Sequence, residues 1–421
     1  MKITICSHDG QGYFGGPYEW VKRFGPALRD RGVEVSFLFF SDHKAEVSST
    51  YLALKKDGFS CELLHAHSLS QYHDNTEDRV RWFLKQVQKN TPDVLIANAT
   101  LFALYTAKWL KQAGIPVIGV LHTDDPKGVW LQEDFFAGSK DFALSALVCV
   151  SKLLQEKVAP LNIYNIPVEV ISCGTPVLAQ EVSRDNHLLK LVYAGKLTEE
   201  AKQISLLTQA FCRAVKEIEG VEAYIYGDGP SKEEVLNIID LEANGYPVFY
   251  KGFVDSSQVQ ANIQDKHVVV LLSDYEGLPI VLLEGMACGL VPVCLDIRSG
   301  IPELVKQNET GCLVKDRGDD FIATIKKLKD DSVLFNRLAT NAKAFALNNH
   351  SMDVVTDKWI QLCDHLKVQN AKKTIVQIPF TIKLPKIHAH LKGIDVRKSS
   401  LSTYLIDQFL RLTRIFNKKS I

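Results

Sequence analysis

Short apolar runs bounded by turn residues recur along the chain, alternating with stretches whose apolar residues return about every three or four positions. "KITIC", "VEVSFLFF", "DVLIANA", "PVIGVLH" and "ALVCVS" are apolar almost throughout, the pattern of parallel strands covered on both faces. Amphipathic stretches such as Tyr18–Arg31 and Thr76–Lys89 lie between them and read as helices. This alternation runs to Val177, and Leu178–Lys190 ("LAQEVSRDNHLLK") is polar. A second series follows: "KLVYAG", "EAYIYGDG", "VFYKGF", "VVVLLS", "VPVCLD" and "GCLV", each with a helical segment after it, ending in 319–349. The pattern predicts an α/β protein of two doubly wound, Rossmann-like domains facing each other across a cleft. They occupy 1–177 and 191–350, joined by a linker over 178–190. A helix over 351–370 is expected to return towards the N-terminal domain, followed by a tail over 371–421.

Ligands of such sheets bind beyond the carboxyl ends of the strands, so the loops there carry the chemistry. The first loop holds a literal G-x-G-x-x-G, Gly10 to Gly15. In a dinucleotide site the first glycine follows the strand directly and the third lies inside the helix. Here Ser7-His8-Asp9 intervene, and Pro17, favoured at a first helical position, follows all the glycines. The spacing therefore argues against a dinucleotide, although Asp42 stands where a ribose ligand would be sought. It favours a glycine loop whose Gly15 and Gly16 amides, helped by the helix dipole, face a phosphate.

Composition narrows the class. The 421 residues are 46% hydrophobic and 23% charged with formal net charge zero, which gives no general reason to bind nucleic acid. The balance is uneven: 371–421 holds 11 Lys/Arg against Asp395 and Asp407, a surplus of nine positive charges. Nine scattered cysteines without a C-x-x-C pair read as reduced thiols of a cytoplasmic protein. A strand beginning at Lys2 is expected to leave no room for a signal peptide, and no apolar run reaches the ~18 residues of a membrane span.

The stretch from Ser273 to Val305 is the most informative. Glu276 and Glu284 are eight apart, near two helical turns, so both carboxylates are expected on one side. Glu284 lies within "IVLLEGMACG", where an unpartnered buried carboxylate is costly and a ligand bearing hydroxyls would offset that cost. With "EGLPIVLLE" as its E-x7-E element, the sequence resembles the retaining nucleotide-sugar glycosyltransferases of family 4, with the GT-B fold. The resemblance extends over most of 1–368. It includes "GG" before the first helix, "IPVIGVLH", "CVSKLLQEKV", "VEVISCGTPV", "VYAGKL", "YGDGP", "YKGFV", "GIPELV" and "ETGCLV".

The resemblance implies roles position by position. Glu276 and the backbone of the loop Gly277, Leu278, Pro279 and Ile280 would hold the donor sugar, and Glu284 the ribose hydroxyls. Lys202 would contact the diphosphate. Lys196 stands where the family most often has arginine, and Gln203 where it usually has glycine. His122 would reach the sugar from the N-terminal domain, and the main chain near Phe253 and Val254 would frame the base. The implied donor is a UDP- or GDP-linked sugar and the acceptor a glycan or lipid-linked hydroxyl, with no cofactor. Independently, two lysines, glycine amides and helix N-termini suffice to stabilise a leaving diphosphate without a metal. No D-x-D occurs, Asp124 and Asp125 being adjacent, and His65, His67 and His73 read as loop histidines rather than zinc ligands. Cys173 and Cys288 read as packing residues.

Two competing classes are a nucleotide-sugar epimerase of the same architecture and a degenerate sugar-nucleotide binding protein. Acceptor contacts are expected from N-terminal loops, with Tyr51–Asn75 as a candidate. In the tail, Leu401, Tyr404, Leu405, Phe409, Leu412, Ile415 and Phe416 fall at helical spacing beside Arg411, Arg414, Lys418 and Lys419. That stripe suits either a helix packed on the N-terminal domain or a basic amphipathic helix over 401–419 resting on an anionic membrane surface at the inner face.

Overall fold

The computed structural model describes residues 1–9, 16–42, 48–66, 75–98, 100–123, 129–177, 187–369, 374–391 and 395–397. Two all-parallel sheets carry the fold. The first is built from β1 (Lys2–His8), β2 (Glu34–Ser41), β3 (Ser60–His65), β4 (Val94–Asn98), β5 (Val117–Leu121), β6 (Ala146–Cys149) and β7 (Val168–Val170), in the order β3-β2-β1-β4-β5-β6-β7. The second contains β8 (Leu189–Ala194), β9 (Val221–Tyr226), β10 (Val248–Gly252), β11 (Val268–Leu271), β12 (Val291–Leu295) and β13 (Cys312–Val314), in the order β10-β9-β8-β11-β12-β13. Strand order reverses between β1 and β4 and between β8 and β11. Ligand crevices open at such switch points, beyond the carboxyl ends of the strands.

The apolar runs become the buried central strands: β4, β5, β6, β11 and β12 are buried at every residue. Three elements went unread. β3 sits at a sheet edge with alternate residues towards solvent, so it lacks an apolar run. Ser49–Lys56 is a helix whose first turn is held by Asp9, the carboxylate accepting from the Tyr51 amide at 2.7 Å. Most of Tyr51–His65 is thus helix and strand rather than an acceptor loop. β7 is only three residues long. The polar connector also ends sooner than read, because β8 begins at Leu189.

The chain crosses between domains twice, at one place. The Thr175 amide donates to the His350 carbonyl at 2.8 Å, and the Met352 amide to the Thr175 carbonyl at 2.9 Å. After the second crossing, the helix Met352–Gln369 packs on the opening helix, Gly16–Asp30. Trp359 meets Trp20 and Phe24 at ring distances of 5.4 and 5.3 Å, while Arg31 reaches Asp353 and Asp357.

The described part of the tail is a strap on the N-terminal domain. Its carbonyls at Val376, Pro379 and Phe380 accept from Gln88 and Arg81 of the helix Thr76–Lys89. Val376, Ile382 and Leu391 are buried. The strap is pinned by Asp395, fully buried, which binds the Tyr105 hydroxyl and a bidentate Arg397. The amphipathic stretch of the tail lies outside the described residues. Removing one partner of a buried, bidentate pair strands the other charge. Arg397→Ala is expected to lower stability by about 3 kcal/mol in urea unfolding. A loss below about 0.5 kcal/mol, the level of an ordinary surface change, would show that this pair does not hold the strap.

Candidate active site

A cavity of about 710 Å³ lies between the carboxyl ends of the two sheets. Gly16, Glu19 and Arg23 of the opening helix form one wall. Gly195, Lys196, Phe253, Val254, Ile280 and Glu284 are among the residues of the other. A second hollow of about 610 Å³ lies on the outer side of the helix Ile204–Glu217, away from both switch points.

Glu284 projects from the buried helix Ile280–Ala287, and burial pushes its carboxyl pKa up. Arg23 from the other domain opposes that shift by pairing with it, and the same guanidinium nitrogen donates to the Ser256 carbonyl at 3.1 Å. Sequence reading missed Arg23. The available signal was a pair of charges, Glu19 and Arg23, one turn apart on a helix that otherwise buries Trp20, Phe24 and Leu28.

Glu276 precedes that helix by four residues, so helical spacing does not relate the two glutamates. The helical argument for placing both carboxylates on one side therefore does not apply, Glu276 standing in the strand-end loop. Glu276 is buried in the loop after β11 and paired with Lys202, so this ammonium is already engaged. Gly277 is pinched between domains: a Cβ there would come within 2.5 Å of the His122 carbonyl oxygen. Leu278 is buried, Pro279 stands immediately before the helix, and Ile280 faces Gly16, where an added Cβ would come 3.1 Å from Cδ1. Gly16 itself is the first residue of the opening helix, one earlier than the proline rule suggested.

The His122 ring turns inward. Asn98 donates its amide to Ser7 Oγ and to the Pro17 carbonyl, which points Oδ1 at His122 Nε2, 2.7 Å away. Nε2 is therefore the donor, and Nδ1 accepts from the Cys173 thiol at 3.8 Å. Burial lowers the imidazole pKa to about 4 and raises that of Cys173 to about 12, so both groups are neutral at pH 7. Cys173 thus does more than pack: it helps to fix the tautomer.

Lys196 is exposed at the cavity rim and makes no ion pair among the described residues. Beside it, Gly227 has φ of 147°, and a Cβ there would lie 1.9 Å from the Gly195 carbonyl oxygen. Only glycine lets these loops close. Phe253 is 51% exposed and lines the cavity. Asp42 pairs with His8 at 3.1 Å. Among the described residues no cluster of His, Cys, Asp and Glu is arranged to hold a metal. Gly15, the loop before it, His67, His73, Asp124 and Asp125 lie outside the described residues.

Residues 14–177 match the family described as Glycosyltransferase Family 4, and residues 180–345 match glycosyl transferases group 1. The chain belongs to glycosyltransferase family 4. It is 28% identical over 165 residues to the poly(ribitol-phosphate) alpha-N-acetylglucosaminyltransferase of Staphylococcus aureus (strain COL), covering 38% of this chain and 32% of that protein. It is 26% identical over 229 residues to the lipopolysaccharide core biosynthesis glycosyltransferase LpsD of Rhizobium meliloti (strain 1021), covering 52% of this chain and 64% of that one. The chain thus spans less than two thirds of either relative. Anabaena HepE, solved with UDP and glucose, superposes with a TM-score of 0.69 at 17% identity, over 87% of this chain and 100% of that one. The fold of this glycosyltransferase is GT-B. No helix among its described residues is long and apolar enough to cross a membrane.

Gln203, where the family resemblance places glycine, has φ of 48° and ψ of 50° at the start of the helix Ile204–Glu217. A side chain is strained there, by roughly 1 kcal/mol. Gln203→Gly is accordingly expected to raise stability by up to about 1 kcal/mol in urea unfolding. A fall of similar size would mean that the glutamine side chain supports the loop.

Proposed function

We propose that this glycosyltransferase holds a UDP- or GDP-linked sugar in the interdomain cavity and transfers the sugar, with retention and without a metal ion, to an acceptor hydroxyl. The acceptor is a glycan or glycolipid under construction, the class to which the names of the two relatives belong. The observation that carries the reading is the cavity itself. It is lined by the Phe253 ring, the buried carboxylate of Glu284 and the ammonium of Lys196, which makes no ion pair among the described residues, and it is framed by glycine loops. These features match a base, a ribose and a diphosphate in turn.

In this reading Lys196 neutralises the charge that develops on the leaving diphosphate. The helix Ile280–Ala287, whose first turn has no side-chain cap, adds its amides and dipole. Glu276 accepts from the donor sugar's hydroxyls and is oriented by Lys202. His122, neutral at pH 7, shapes the sugar end of the cleft through its carbonyl against Gly277. Retention is proposed on the strength of the E-x7-E resemblance.

The test follows nucleotide release with and without acceptor. Lys196→Ala is expected to lower turnover about a hundredfold, Glu276→Ala to act chiefly on kcat, and Glu284→Ala chiefly on donor KM. Activity is expected to persist in EDTA. Loss in EDTA reversed by magnesium or manganese overturns metal independence, and a product of inverted anomeric configuration overturns retention.

We further propose a cytoplasmic enzyme peripheral to the membrane's inner face, attached through the basic residues 401–419. A chain ending near 370 would lose the strap as well, so the informative truncation ends at Arg397. Full-length protein is expected to sediment with anionic vesicles, less strongly at high salt, and the chain ending at Arg397 much less. Equal sedimentation of the two overturns this attachment.

A further inference from the structure

The loop after β11 is committed residue by residue from Asp274 to Gly277. The Asp274 amide donates to the Ala201 carbonyl at 2.9 Å. The Tyr275 hydroxyl meets Thr123 of the N-terminal domain at 3.0 Å, and Glu276 pairs with Lys202. Gly277 lies against the His122 carbonyl. These four residues belong to no strand or helix, and a loop keeps such a course only where something rigid holds it.

Arg317 supplies that hold from the far side of a strand. It follows β13, and β12 lies between β13 and β11. Its Nε donates to the Leu272 carbonyl at 2.9 Å, and its Nη2 to the Asp274 carboxylate. The turn that carries Arg317 is itself knitted. The Lys315 amide donates to Asp320 Oδ2 at 2.7 Å, and the Gly318 amide to Asp316 Oδ1 at 2.8 Å. A planar fork on a fixed turn sets direction as well as distance, which a single ammonium does not.

The pair's exposure separates this effect from stability. The Asp274 side chain is 48% exposed and that of Arg317 20%, and ion pairs so exposed contribute little to folding. What the fork fixes is the course of the loop, and through it the place where Glu276 stands against Lys202.

We propose that Arg317 is a positioning residue for the transfer reaction: by holding Leu272 and Asp274, it keeps the loop in the course that presents Glu276 to the donor sugar. The inference rests on the role proposed for Glu276. It adds a residue from outside the cleft, one that lines the second hollow instead.

The experiment is a double-mutant cycle on kcat, followed as nucleotide release from a panel of UDP- and GDP-linked hexoses. Each kcat is expressed per binding site, counted by calorimetric titration with UDP or GDP, so that misfolded protein does not enter it. Arg317→Ala is expected to lower kcat about tenfold, with nucleotide Kd within about twofold of wild type. In Glu276→Ala protein the same change is expected to cost less than about twofold, because the group being positioned is gone. Asp274→Asn removes the charge that the fork grips, and is expected to reproduce the Arg317→Ala result. Arg317→Lys, a cation without the fork, is expected to fall between wild type and Arg317→Ala. An Arg317→Ala change that lowers kcat by the same factor in both backgrounds is merely structural and overturns the inference. So do Arg317→Ala and Asp274→Asn proteins with wild-type kcat. A Glu276→Ala protein with wild-type kcat overturns the role of Glu276, and wild type that releases nucleotide from no member of the panel overturns the donor reading; this inference falls with either.

Discussion

A carboxylate buried between two domains needs a cation, and Glu284 finds its cation in the other domain. The Arg23 pair therefore does more than neutralise a charge: it sets the register in which both walls of the cavity exist. Leaving Glu284 unpaired would cost about 3–5 kcal/mol, a large share of any domain's stability. Other polar contacts reinforce that register. Glu303 accepts from the amides of Lys152 and Leu153 at 2.8 and 2.9 Å, capping an N-terminal-domain helix with a C-terminal-domain side chain. Gln260 donates to Thr175 Oγ1 and the Pro176 carbonyl, and Thr123 meets Tyr275 at 3.0 Å. The apolar Trp20–Phe24–Trp359 cluster ties the helix Met352–Gln369 to the N-terminal domain. Any opening then falls at the paired crossings near Thr175 and Ser351.

Much of this was legible in the sequence, for identifiable reasons. Strands buried on both faces, such as β11 and β12, announce themselves as apolar runs, and in the second sheet even the edge strand β10 was read from its Val-Phe-Tyr start. β3 was not, because an edge strand with Glu62 turned partly outward has no such run. Among site residues, those fixed by backbone geometry were readable. Gly277 and Gly227 tolerate no side chain, and their motifs carry that restriction. Residues fixed by tertiary pairing were not. Arg23 meets Glu284 across 261 positions, and no local pattern encodes that separation. Of the E-x7-E pair, Glu276 stands in the strand-end loop and Glu284 in the helix, and a loop residue does not share a helix's periodicity.

The sequence also treated Lys196 and Lys202 as equivalent, and the structure separates them. Lys202 is matched by Glu276, as Lys22 is by Glu19 and Arg23 by Glu284. Three carboxylates in or beside the cleft are thus each balanced by a cation before any ligand arrives. Lys196 is not balanced in this way, which concentrates its field on the cavity rim. The neutral His122 fits the same pattern. An imidazolium there would add a second positive centre near Gly277, and burial against Asn98 and Cys173 prevents it.

The strap runs along the helix Thr76–Lys89 from one end of the N-terminal sheet to the other. Thr374 donates to the Ala113 carbonyl, just before β5 begins, at the amino end of the sheet. Val376 lies by Gln88, late in the helix Thr76–Lys89, and Pro379 and Phe380 by Arg81, earlier in it. At Val396 the carbonyl accepts from the Thr76 amide at 2.7 Å, at that helix's first turn. In a parallel βα fold the helix following a strand starts at the strand's carboxyl end. The strap has therefore climbed from the amino end of the N-terminal sheet to the cleft end by the time it reaches Arg397. There the Asp395 carboxylate, paired with Arg397 and bound to the Tyr105 hydroxyl, holds that end of the strap against the N-terminal domain.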